Sequence, residues 1–164
     1  MDERHTQQVR QLRGLVITQL VTTTALSAIL AFALGGTGAS FPPLWAVGGL
    51  AAVLVAAVVD VERSWTRIPP LSPGLDADAA LDASLAHYQR HLARALFVLE
   101  IPLLLAILYA FVMPYGGWTV IVVAIATVVA IAVETWPTVR NTTRVATALE
   151  AEGTPSGLVE AFDS

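Results

Sequence analysis

The sequence contains no cysteine, which excludes disulfide frameworks, thiolate metal centres and iron–sulfur clusters. It contains no lysine either. All nine cationic side chains are arginine, a bias that fits a GC-rich bacterial genome. Charge of either sign is scarce, at 13% of residues against about 25% in an ordinary soluble domain. Residues 14–59 and 101–133 carry none at all. Runs of that length exceed the needs of a globular core and match bilayer spans of about 20 residues each. The formal net charge of −4 is spread over the ends and the middle of the chain, which points to no nucleic-acid partner. The chain also lacks a glycine-rich phosphate loop, a nucleophile elbow, and any histidine placed within a span to hold haem. No cofactor is expected.

What is present is apolar: 55% of the residues are hydrophobic and the mean hydropathy is +0.68. The expectation is an all-α, polytopic membrane protein, a single four-helix transmembrane domain over residues 1–164. The spans read as residues 15–34, 44–59, 96–113 and 118–133. The glycine- and proline-rich stretch 35–43 joins the first pair and residues 114–117 join the second, so the spans form two hairpins. The Ala-x-Ala-like triplet at residues 31–33 raises a signal peptide. The apolar stretch is too long for one, however, and three further spans follow.

Orientation follows from the arginines. Arg4, Arg10 and Arg13 precede the first span, Arg63, Arg67, Arg90 and Arg94 lie between the second and third, and Arg140 and Arg144 follow the fourth. The two hairpin loops are uncharged. By the positive-inside rule both termini and the middle loop are cytoplasmic, and the expected location is a bacterial inner membrane. In the middle loop, residues 67–74 form a stiff linker. Leu81, Leu85, Tyr88 and Leu92 then recur at helical spacing, so residues 76–94 read as a cytoplasmic amphipathic helix. Asp76, Asp78 and Asp82 sit in its early turns, where the helix dipole favours anions. Three placements suit it: on the membrane surface, under the bundle, or continuous with the third span. Residues 138–152 read as a second cytoplasmic helix, and the last eight residues are expected to fray.

The halves share landmarks. His5 and Gln7 answer His87 and Gln89, Leu34-Gly35-Gly36 answers Tyr115-Gly116-Gly117, and Trp45 opens the second span as Trp118 opens the fourth. This reads either as a parallel tandem repeat or as the likeness of alanine-rich hairpins. Gly48, Ala52, Ala56 and Asp60 recur every fourth residue, as do Ala126, Ala130 and Glu134. Small residues let helix backbones approach, so these stripes are the expected packing faces.

One acid lies inside a span. Glu100, in ALFVLEIPLLLAILY, falls six residues past Arg94, about 9 Å along a helix and so about one turn into the hydrocarbon. A carboxylate there is costly and marks a proton- or substrate-binding group by default; the structural alternative is snorkelling or pairing with arginine. Gln19, its counterpart in the repeat, needs hydrogen-bond partners in lipid, so a Gln19–Glu100 contact is expected. Asp60 and Glu134, one turn lower, would complete a polar vestibule. The neighbouring threonines read as bonded to their own backbone. His87 and His91 have the i, i+4 spacing of metal ligands, but no third ligand is evident beyond His5 or a carboxylate, so no metal is expected.

Three functions fit these observations. The favoured one is a non-catalytic helix-packing subunit or scaffold that forms a homo-oligomer or binds a partner membrane protein within the lipid bilayer. The others are a small proton-coupled transporter or channel using Glu100, and a membrane enzyme acting on a lipid or isoprenoid from the cytoplasmic leaflet.

Overall fold

The computed structural model describes residues 3–38 and 40–163. Among them every regular element is helical: α1 (Glu3–Ala33), α2 (Leu44–Trp65), α3 (Ala77–Val112), α4 (Gly116–Thr135), α5 (Val139–Leu149) and α6 (Leu158–Asp163), with a 3-10 turn at Gly36–Gly38. The first four are each long and apolar enough to cross a membrane, which is the build of a multi-pass membrane protein. With 22 and 20 residues, α2 and α4 rise about 33 and 30 Å, close to the hydrocarbon thickness of about 30 Å. With 31 and 36 residues, α1 and α3 rise about 46 and 54 Å and must overhang it.

Both overhangs lie at the N-terminal, arginine-bearing ends of their helices. Asp82 on α3 joins them, accepting from Arg4 at 3.0 Å and lying 3.1 Å from Nε2 of His5. Of the three placements open to the amphipathic segment, the structure takes the continuous one. Asp76 caps α3 by accepting from the backbone N–H of Ala79 at 2.8 Å. From there the helix runs without a break through Pro102 to Val112. Thr138 caps α5 in the same way, accepting from the N–H of Asn141 at 3.3 Å.

The packing order is α1, α4, α3, α2. α4 lies against both α1 and α3, α2 lies mainly on α3, and α1 meets α3 along a thin seam. α1 and α2, consecutive in the chain, are not among the packed pairs of the described residues. At the uncharged end the backbone N–H of Gly117 donates to the carbonyl of Leu34 at 3.2 Å, tying the start of α4 to the end of α1.

The core has two parts. At the uncharged end small and aliphatic side chains pack, among them Ala31, Leu103, Ala106, Val120 and Ala124. The larger part spans the arginine-bearing end and includes aromatic residues. Tyr88 lies 5.6 Å from Trp65 and 5.1 Å from Phe162 by ring centroid, and His91 lies 5.9 Å from Trp65. The Tyr88 hydroxyl is buried without a partner among the described residues, and that burial raises its pKa well above the usual phenolic range.

Phe162 corrects an expectation. Residues 158–163 do not fray, because α6 places Leu158, Ala161 and Phe162 in this core, and Arg13 donates to the carbonyl of Phe162 while lying over its ring. The linker is held as well. Ile68 and Leu71 are buried, and the N–H of Leu71 donates to the carbonyl of Leu149 at 2.8 Å.

The two small-residue stripes part company. On α4, Ala130 packs against the core and Glu134 is buried. On α2, Gly48, Ala52 and Ala56 are exposed, and a Cβ added at Gly48 would meet nothing within 4 Å.

Candidate functional site

α1 and α3 run parallel from the same charged end, so residues at equal depth face each other across their seam. Gln19 of α1 thereby meets Glu100 of α3. Nε2 of Gln19 donates to Oε1 of Glu100, and Oγ1 of Thr23 donates to the same oxygen at 2.8 Å. Gln19 and Thr23 are four residues apart, one helical turn, and therefore share a face; their polar atoms lie 3.5 Å from each other. Thr23 is the residue that sequence reasoning passed over as backbone-bonded. Its i+4 spacing from Gln19 was the signal that could have found it. Thr24, its neighbour, does bond back, to the carbonyl of Leu20 at 2.7 Å.

Glu100 is half-buried on this seam. Both donors address Oε1, and among the described residues none reaches Oε2. Neither arginine near its depth is free for it. Arg94 pairs with Asp60 at 2.8 Å, and Arg13 is engaged by Phe162.

The other two candidates belong to separate groups at the charged end. Asp60 is exposed and held by Arg94. Glu134 closes α4 beside an arginine cluster in which Glu62 pairs with Arg140 at 3.0 Å and Arg144 at 3.2 Å. Oε2 of Glu134 and one terminal nitrogen of Arg144 are buried without partners among the described residues. Asn141 supports this corner: its Nδ2 donates to the carbonyls of Val133, Glu134 and Trp136 at 3.1, 3.2 and 2.8 Å. These are carbonyls that the end of a helix leaves unsatisfied. Among the described residues the hydrogen bonds of Glu100 go to Gln19 and Thr23, and the ion pair of Asp60 goes to Arg94.

The histidines do not converge on one site: His87 and His91 are a turn apart on α3, and His5 lies on α1. His5 faces Asp82, His91 stacks on Trp65, and the described residues form no cluster with metal-ligand geometry.

Two of the grooves on α1 lie against a neighbouring span above and below the depth of Glu100. One, about 310 Å³, lies between α1 and α4 and is lined by apolar side chains with Thr24 and Ser27. The other, about 300 Å³, opens on the α1–α3 seam nearer the charged end, where Gln8, Gln11 and Gln89 line it with Leu12, Leu15 and Leu85. Neither is lined by a carboxylate. No family model matches this chain, and neither do any curated protein or any solved structure.

Proposed function

We propose that this chain is a non-catalytic, multi-pass subunit of a bacterial inner membrane that associates with a second copy of itself through α2. The observation that carries the proposal is the stripe of Gly48, Ala52 and Ala56, which is exposed although its counterpart on α4 is used inside the bundle. In lipid there is no hydrophobic drive between helices, so association depends on close backbone approach, and small residues at spacing four permit it. α2 is also free on the side of α1, with which it does not pack.

A parallel repeat of two helix pairs, if present, bears on this, although α1 and α2 do not pack as the expected first hairpin. A two-fold axis along the membrane normal would exchange the α1–α4 pair with the α3–α2 pair, and both of those pairs are packed. It would also pair α1 with α2 as α3 pairs with α4. α1 and α2 are not among the packed pairs, so a parallel repeat would leave an open edge at α2. Both termini and the linker between α2 and α3 lie with the arginines on the cytoplasmic side in this reading.

The test is oligomer size in lipid nanodiscs or mild detergent. Ala52→Leu should cut the dimer fraction without changing the melting temperature, because the side chain is exposed within the monomer. Ala130→Leu should instead lower the melting temperature, because Ala130 packs on the core. A wild type that stays monomeric, or an Ala52→Leu variant that dimerises equally, would refute self-association through α2.

A further inference from the structure

We infer that Glu100 binds an ammonium group, one bearing N–H donors on an apolar body, at the α1–α3 seam. This site shares no residue with the α2 stripe and stands whether or not the chain dimerises. The argument starts from an imbalance. Oε1 of Glu100 accepts from two neutral donors, Gln19 and Thr23. Both side chains donate, so Oε1 acts here as an acceptor. Neutral donors orient the group but supply no countercharge. Residues 14–59 and 101–133 contain no charged side chain, and Arg94 and Arg13, the arginines nearest Glu100 in depth, are engaged by Asp60 and by the carbonyl of Phe162. An anion in hydrocarbon without a cation is strongly disfavoured, and the one oxygen still able to accept is Oε2. A donor that is itself cationic satisfies both deficits at once.

The surroundings select an amphiphile. Phe97 and Leu104 lie three residues before and four after Glu100, on its face of α3, and are 66% and 56% exposed. They offer apolar surface beside the carboxylate. Toward the charged end the same seam carries the glutamine-lined groove, which on α1 reaches Leu15, one turn short of Gln19. Oε1 of Gln8 is buried there without a partner among the described residues, so a polar head passing along the groove meets hydrogen-bonding groups before it reaches Glu100. Two sources carry this chemistry: the headgroup of phosphatidylethanolamine and a free long-chain amine.

The experiment titrates dodecylamine and dodecanol, alike except for the head atom, into wild-type protein in phosphatidylcholine nanodiscs, with retention read by native mass spectrometry. The amine should be retained as one saturable adduct, at least about tenfold tighter than the alcohol. Glu100→Gln should bring the amine down to the level of the alcohol, and Asp60→Asn, at the rim, should not. Replacing half of the phosphatidylcholine with phosphatidylethanolamine separates the sources. Displacement of dodecylamine by one retained phosphatidylethanolamine per chain identifies the headgroup, and an unchanged titration identifies the free amine. Equal retention of amine and alcohol by the wild type overturns the inference, as does full retention of the amine by Glu100→Gln. The first comparison needs no variant, so it holds even if Glu100→Gln fails to fold.

Discussion

Gly117→Ala tests the closure at the uncharged end. A Cβ at Gly117 would lie 2.7 Å from both the Cα and the N of Gly36, with the Gly36 carbonyl oxygen closer still. These are backbone atoms, so no side-chain rotation relieves the clash, and α4 must move away from the turn after α1. Overpacking of this kind costs about 1–3 kcal/mol. The displacement also weakens the 3.2 Å bond from the Gly117 N–H to the Leu34 carbonyl, worth about 1 kcal/mol. Alanine returns up to about 1 kcal/mol of helix propensity, leaving a net loss of about 1–3 kcal/mol. For a chain of this size that corresponds to a fall in melting temperature of about 2–12 °C. Gly14→Ala in α1 is the matched control, since a Cβ there meets nothing within 4 Å; it should be neutral or slightly stabilising. Thermal unfolding by circular dichroism in one detergent compares the two. A Gly117→Ala variant melting with or above wild type would show that α1 and α4 do not approach as closely as this.

Two further outcomes are expected. The pKa of His91 is lowered by burial and then by Arg94 and His87, so below the unfolded value of about 6.5 the unfolded chain binds more protons. Stability therefore falls as pH drops from about 7.5 to about 5.5; His91→Gln should flatten that slope, and an unchanged slope refutes the assignment. For orientation, single cysteines are informative because the native chain has none: in right-side-out vesicles an impermeant maleimide should label Tyr115→Cys and spare Gln89→Cys, and the opposite pattern would invert the topology.

The sequence by itself determined that there are four apolar helices and where each lies. Hydrocarbon demands about 20 apolar residues whose backbone bonds are satisfied within the segment, so composition and breakers suffice. It also pointed to Gln19 as a partner for Glu100, because parallel helices entering from one side bring equal depths together and an amide in lipid needs a partner. Which helices touch was decided only by tertiary structure. A run of alanine, valine and leucine presents similar faces all round, so nothing local told α1 to pack on α4 and leave α2 aside, or left the α2 stripe exposed while using that of α4. The C-terminal segment shows the same division. Residues 157–164 are short and bounded by glycine and a terminus, which reads locally as fraying. Arg13 and Tyr88, which hold Phe162, come from two distant parts of the chain, and they meet only once the helices have assembled.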